Sequence, residues 1–358
     1  MMLPGNIIQD ILSRLDVKSL MRLRCVCKTW FNLISSSSFQ DLHRSRSHHN
    51  LLFLFRSTSS SFHNRFFFYS FCSLDVTGSL GARFSVKVDD PIKLVLPSCS
   101  GLVCFATDTR IYVCNPATRQ ILALPVSPQR TSIAGFGFGY VDSIKGYKVV
   151  RLIHRPITHT IECSVFTITS DPKNSNSNSS SWTLLDEGCP YLVEQFSYPV
   201  FAKDCIFWKI NRRSHRQLRR SNDYIVSFNV RDNKFSTLTH PADWRHISSH
   251  FTQLADLGGT LCMVEISTCS VVIWVLKDHH NCFWHKGGLI DIKGIDRRLV
   301  GEVKCLRNGE IIFSSLANIL LFYDVNQKRF RQVTLPVRAL DFGIYWESFF
   351  SLGPAALV

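Results

Sequence analysis

The sequence feature that most limits how this chain can fold is a two-strand pattern that recurs along most of its length. An aromatic-bearing strand ends in Asn or Asp, a turn carries a basic residue, and a second strand runs into Leu-Pro or a remnant of it. The pattern is clearest at residues 112–125 (YVCNPATRQILALP), 226–241 (VSFNVRDNKFSTLTHP) and 321–336 (LFYDVNQKRFRQVTLP). Looser copies lead from Val165, Phe166 and Thr167 to Trp182, Thr183 and Leu184, and from Ile273, Trp274 and Val275 to Phe283 and Trp284. The copies begin near residues 113, 165, 227, 273 and 322, which places them 52, 62, 46 and 49 residues apart. Such intervals belong to propeller repeats rather than to a sandwich. Each hairpin has two faces and cannot bury both alone, so neighbouring sheets must stack around a centre or pair into a closed barrel. A β-propeller-like domain is the expected outcome, with its number of blades undetermined.

The N-terminal segment has a different period. Ile7, Ile8, Ile11, Leu12 and Leu15 recur at three- and four-residue intervals, which makes one apolar stripe on a helix starting at Pro4. Asp16 can cap a second helix, along which Leu20 and Leu23 continue the apolar face while Lys18, Arg22 and Arg24 stay solvated. Val26, Trp30, Leu33 and Ile34 repeat the spacing on a third helix, until the serines at 35–38 break it. Three helices in so few residues cannot bury that much apolar surface among themselves. The segment therefore reads as a docking module. A basic stretch at 43–49 leads from it into short β-branched and aromatic runs separated by Gly, Pro, Asn and Asp, the pattern of an all-β domain. There, residues 51–56 and 65–72 read as an early hairpin joined by the serine-rich 57–61. The expected organisation is a small all-α module at 1–48 and a large all-β domain at 49–358.

The Leu-Pro start at Leu3 and Pro4, the Ile-Leu-Ser-Arg-Leu run, the Lys-Ser-Leu turn and the Cys-Val-Cys-Lys-Thr-Trp run ending at Trp30 stand in F-box order. The segment resembles the three-helix F-box of a large plant group whose members recruit a Skp-type adaptor and, through it, a cullin ubiquitin ligase. Asn6 replaces the family's usual acidic residue and Asp16 its usual Pro, and neither change removes an apolar anchor. The blocks GLVCFATDTRIYVCNPATRQILALP, GFGFGYVDSIKGYKVVRL, WVLKDHHNCFW and YWESFFSL resemble, in the same order, the F-box-associated domain of that group, over most of residues 50–352. The resemblance implies adaptor contacts at Leu3, Pro4, Ile7, Ile8, Ile11, Leu20 and Val26, and an F-box core of Leu12, Leu15, Leu23 and Trp30. It also implies that the β domain holds a protein target.

With 45% hydrophobic and 12% aromatic residues the chain is far from the composition of a disordered one. No apolar run reaches the 18 residues a bilayer span needs, and no secretory signal is visible, so a soluble protein of the cytoplasm or nucleus is expected. The thirteen cysteines are odd in number and scattered through apolar contexts, which suggests reduced core thiols. No C-x-x-C occurs, and Cys282 and His285 lack a matching second pair, so no metal is expected.

Other stretches invite sharper chemistry. Gly135, Gly137 and Gly139 have the look of a phosphate-binding loop, but such a loop must open a helix, and the residues at 147–152 are strand-like. Close strand packing or bending is the better reading of these glycines. No H-E-x-x-H, no G-x-S-x-G and no paired carboxylates stand out, so neither a catalytic site nor a cofactor is expected.

The net charge of +14 argues for a basic module that binds nucleic acid. Its distribution argues against one. Residues 1–50 hold seven Lys and Arg against three Asp, and residues 203–234 hold nine against three. The second excess is mainly the run at 212–220 (RRSHRQLRR), which has no interleaved aromatics to stack bases. It reads as a solvated loop, with nuclear import or an acidic partner as the other uses of such charge. Neutralising its five arginines is expected to leave the fold intact. Micromolar binding of duplex or single-stranded nucleic acid, steeply salt-dependent and abolished with those arginines in a fluorescence titration, would instead make the β domain a nucleic-acid module.

Overall fold

The computed structural model describes residues 4–47, 50–56, 67–74, 80–126, 133–155, 157–169, 181–194, 198–211, 223–241, 251–279, 281–315 and 318–353. Short N-terminal helices are succeeded, among the described residues, by six four-stranded antiparallel sheets of the β-propeller type. The arginine run at 212–220 lies outside the described residues, as does the low-complexity stretch at 174–181 apart from Ser181. The chain divides into two compact units, Met1–Leu124 with Leu340–Val358, and Pro125–Ala339.

Among its described residues the first unit contains four α-helices, α1 (Gly5–Leu12), α2 (Val17–Leu23), α3 (Lys28–Ser35) and α4 (Ser37–Arg46). The serines do end α3, but Ser36 at once caps a further helix, its Oγ accepting the Phe39 N–H at 3.3 Å. A single residue that can both stop one helix and start the next accounts for α4. The same unit holds two sheets. One is built from β1 (Asn50–Arg56), β2 (Phe67–Leu74) and β3 (Leu80–Val88), and is completed by β24 (Asp341–Tyr345) from the far end of the chain. The β24 strand pairs antiparallel with β1, Asn50 opposite Tyr345 and Leu54 opposite Asp341. The second sheet runs β4 (Leu94–Val95), β5 (Val103–Ala106), β6 (Ile111–Asn115) and β7 (Gln120–Ala123). The two sheets share a core that includes Leu52, Leu54, Tyr69, Phe71, Phe105, Tyr112 and Tyr345. Phe105 stacks on Tyr112 with ring centroids 5.1 Å apart.

The second unit holds four sheets in chain order: β8 (Ile133–Val141), β9 (Gly146–Arg155), β10 (Thr160–Thr169) and β11 (Thr183–Leu184); β12 (Val200–Ala202), β13 (Cys205–Lys209), β14 (Asp223–Asn229) and β15 (Lys234–Thr239); β16 (Phe251–Asp256), β17 (Leu261–Ile266), β18 (Ser270–Asp278) and β19 (Phe283–Asp291); β20 (Val303–Arg307), β21 (Glu310–Phe313), β22 (Ile319–Asp324) and β23 (Arg329–Thr334). Successive sheets share apolar layers, the first of them around Val150, Leu152, Ile206, Trp208 and Phe228. Polar side chains cross the same gaps. Trp208 Nε1 donates to Phe136 O at 3.1 Å, and Trp284 Nε1 to Thr239 O at 2.9 Å. Gln253 makes a two-way link, donating to Val303 O at 2.7 Å and accepting from Val303 N at 3.0 Å.

The recurring sequence pattern is the third and fourth strand of a blade. Residues 113, 165, 227, 273 and 322 fall in β6, β10, β14, β18 and β22, each the third strand of its sheet. The Asn or Asp after the aromatic strand builds the turn. Asn115 Oδ1 accepts Ala117 N at 3.0 Å, Asn229 Oδ1 accepts Arg231 N at 2.8 Å, and Asp324 Oδ1 accepts Asn326 N at 2.8 Å. Four residues beyond each stands a left-handed residue: Arg119 (φ 59°), Asn233 (φ 60°) and Lys328 (φ 54°).

The glycines of β8 serve close packing. A Cβ at Gly137 would stand 2.6 Å from Ile206 Cγ2 and 2.7 Å from Trp208 Cζ2, and one at Gly135 2.7 Å from Val193 Cγ2. Gly137→Ala is therefore expected to destabilise the second unit by about 1–3 kcal/mol through overpacking, measured as a lowered urea midpoint of the β-sheet signal.

Candidate functional site

Two sets of apolar side chains on the N-terminal helices have different fates. The centre of the module is Leu12, Leu20, Ile34 and Phe39, with Ile8, Leu15, Leu23, Trp30 and Leu33 half-buried against it. Local caps hold the helices in register. Pro4 stands at the N-cap of α1, where its carbonyl accepts Ile7 N at 3.0 Å and Ile8 N at 3.2 Å. Asp16 caps α2, accepting Ser19 N at 2.7 Å and Ser19 Oγ at 2.9 Å. Arg46 on α4 reaches back to α1 and donates to Asp10 Oδ1 at 2.7 Å. That hydrogen bond, with the Arg14 charge, holds the Asp10 carboxyl below its ordinary value. His43 is buried, with Nε2 2.8 Å from Leu15 O.

A second set stays in solvent although nothing polar in its side chains requires it. Ile7 is 42% exposed, Ile11 50%, Val26 60% and Phe31 47%. Ile7 and Ile11 lie one turn apart on one face of α1, and the Arg24 guanidinium sits over the Phe31 ring, 4.8 Å from its centroid. Single exposed apolar residues need no explanation, but four within so small a helical unit give it a surface suited to an apolar partner.

The structure separates the residues that the sequence resemblance grouped together. Pro4, Ile7, Ile11 and Val26 are exposed, and Ile8 is half-buried at the edge of the core. Leu3 lies outside the described residues. Leu20, expected among the docking residues, is instead fully buried at 0% exposure. It holds the helices together and offers a partner no surface, because its position on α2 continues the stripe that faces the module's own core. Of the expected core, Leu12 is at the centre and Leu15, Leu23 and Trp30 flank it. Ile34 and Phe39 take the central places beside Leu12 and Leu20. Phe31 escaped sequence reasoning because it falls off the stripe of Trp30, Leu33 and Ile34, and that very displacement is the signal that could have found it.

Among the described residues no group of three or more His, Cys, Asp or Glu side chains is placed to hold a metal ion, and no helix is long and apolar enough to cross a membrane. Nine of the thirteen cysteines are buried and the described chain contains no disulfide. Burial pushes the Cys163 and Cys262 thiols up to about 12, so they behave as packing groups.

The F-box associated beta propeller domain profile matches residues 50–342 and the F-box domain profile residues 1–41. The chain belongs to the family of F-box proteins with an F-box associated β-propeller domain. It is similar to the Arabidopsis thaliana F-box protein At5g65850, 25% identical over 95% of this chain and 85% of that one. A similar relation holds to the F-box/kelch-repeat protein At3g23880 of the same plant, 25% identical over 92% of this chain and 89% of the relative. Among solved structures, oligogalacturonate lyase in complex with manganese aligns with a TM-score of 0.42 and 8% identity, covering 80% of this chain and 86% of that one.

The two apolar sets should answer differently to substitution. Leu20→Ala is expected to cost about 2–5 kcal/mol of helical-module stability. Ile7→Ser and Ile11→Ser are each expected to stay within about 0.5 kcal/mol of the parent. Thermal melts monitored by the helical circular dichroism signal check both.

Proposed function

We propose that this chain is the substrate-selecting subunit of a Skp-cullin-F-box ubiquitin ligase, its N-terminal helices holding the adaptor and its propeller holding a protein target. The observation that carries this reading is the set Ile7, Ile11, Val26 and Phe31, left in solvent on a module whose own core is already filled by Leu12, Leu20, Ile34 and Phe39. An adaptor that covers those side chains removes apolar area from water, the main favourable term in such an association. The membership in the F-box family supports the identity of the partner, and the propeller supplies a scaffold whose loops can be varied without disturbing the blades. The chain contributes geometry rather than chemistry. By holding adaptor and target on one polypeptide it raises the target's effective concentration beside the ubiquitin-charged enzyme that the cullin brings.

The test is affinity purification of the full chain under proteasome inhibition, with mass spectrometry of the eluate. A Skp-type adaptor and a cullin are expected there. An adaptor without a cullin would make the protein a scaffold that acts without ubiquitination, and nucleic acid in place of both would favour the basic-module reading. Within the same assay Leu3 and Pro4, changed together to Ser and Ala, or Ile7 and Ile11, changed together to Asp, are expected to abolish adaptor capture. Burying one such side chain against the adaptor is worth about 1.5–3 kcal/mol, so removing two weakens binding by roughly two to four orders of magnitude. Titration calorimetry against purified adaptor measures the weakening, and circular dichroism on the same samples shows that the fold persists.

A further inference from the structure

The four helices do not complete themselves. Phe349, which lies beyond β24, packs on their core, its ring 6.3 Å from Phe39 and 5.0 Å from His43, edge-on to both. Two residues earlier Glu347 reaches the start of α2, where Oε2 accepts the Val17 N–H at 2.5 Å across 330 residues of sequence. Val17 is the first residue of α2, and its N–H has no partner within the helix. Asp16 covers the Ser19 N–H and Glu347 covers that of Val17, so two carboxylates from opposite ends of the chain share one helix terminus, where the dipole also favours negative charge.

The same segment is held from its other side by the second sheet. Asn115, fully buried, donates Nδ2 to Ser348 O at 2.9 Å and to Phe350 O at 2.8 Å. Gln120 accepts Leu352 N at 3.2 Å and donates to Gly353 O at 3.2 Å. Gly101, at φ 83°, lies so close to Ser348 that a side chain there would collide with it. The segment leaves β24 at Tyr345, which pairs with Asn50 at the start of β1, just beyond the end of α4.

We propose that residues 346–353 form a clasp that completes the F-box helices from the C-terminal end of the chain, so that adaptor docking depends on Glu347 and Phe349 although neither belongs to the exposed apolar set. The effect on docking rests on the proposed function, whereas the completion of the helices does not.

Hydrogen exchange with mass spectrometry on the full chain, as it purifies, tests the clasp. In a Glu347→Ala, Phe349→Ala double variant, peptides from α2 and α4 are expected to exchange ten-fold or more faster, while peptides from β13, β17 and β21 keep parental protection. Glu347→Gln alone retains an acceptor and is expected to restore most of the α2 protection. In parallel, adaptor capture by the double variant should fall at least ten-fold. Unchanged exchange in α2 and α4 overturns the proposal, including the case in which capture nevertheless falls, since the two side chains would then touch the adaptor directly. Loss of protection throughout the strands together with the helices also overturns it, because the segment would be part of a single core. Faster helix exchange in a protein whose parent captures no adaptor upholds the clasp and refutes the adaptor reading alone.

Discussion

The pairing of β24 with β1 is the constraint on which the first unit depends. A strand from the end of the chain supplies the fourth member of a sheet whose other three come from just after the helices, with Asn50 opposite Tyr345. Without it β1 would be an edge strand carrying Leu52 and Leu54, which now sit in a core with Tyr345 itself. The pairing also fixes where residues after Tyr345 must emerge. They leave beside the beginning of β1, and therefore beside the helices that lead into it. One long-range ladder thus sets both the integrity of a blade and the reach of the segment that carries Glu347 and Phe349.

Much of the β architecture is legible in the chain because its turn chemistry is local. An Asn or Asp that accepts a backbone N–H two residues on, with a left-handed residue two further along, leaves a mark in sequence wherever the connection is short. The clear copies at β6–β7, β14–β15 and β22–β23 are of this kind. One looser copy has a long connection, between β10, which ends at Thr169, and β11, which starts at Thr183, and a long loop needs no particular turn residue. The other, between Asp278 and Phe283, is as short as the clear ones and has Asp278 accepting Asn281 N at 3.3 Å and left-handed Cys282 at φ 49°, but no Leu-Pro follows its second strand. In the first sheet the third and fourth strands are β2 and β3; Asp75 follows β2 in sequence, but residues 75–79 hold no basic residue and β3 runs into Asp89 and Asp90 rather than Leu-Pro, so the pattern is incomplete there. That sheet shows in sequence only as the early hairpin of β1 and β2, and its β24 partner, at the far end of the chain, leaves no local mark at all. Blade number cannot be counted from the sequence for that reason.

The glycines of β8 show how the same residue type can carry two meanings until a neighbour is known. In sequence Gly135, Gly137 and Gly139 alternate as a phosphate loop would, and only the strand pattern after them argues otherwise. In the structure Val193, Ile206, Trp208 and Phe201 fill the space a Cβ would need, so the alternation is that of one face of a strand pressed against the next sheet.

On the helices, periodicity identifies an apolar stripe but does not say what covers it. Ile7, Ile8, Ile11 and Leu12 share α1, yet Leu12 is 2% exposed and Ile11 50%, adjacent residues that a helix turns about 100° apart. The stripe is wider than the core, and the excess is what a partner can use. The core, in turn, is completed from outside the helices, since Phe349 packs edge-on against Phe39 and His43 and Glu347 covers the Val17 N–H. A small module that borrows stability from the chain's far end and leaves apolar surface uncovered is poised near the limit of independent folding. Docking and folding are then linked, because anything that binds the ordered helices and not their unfolded form stabilises them by mass action. The clasp and a docked partner would act on the same equilibrium, and a loss at either would be felt at the other.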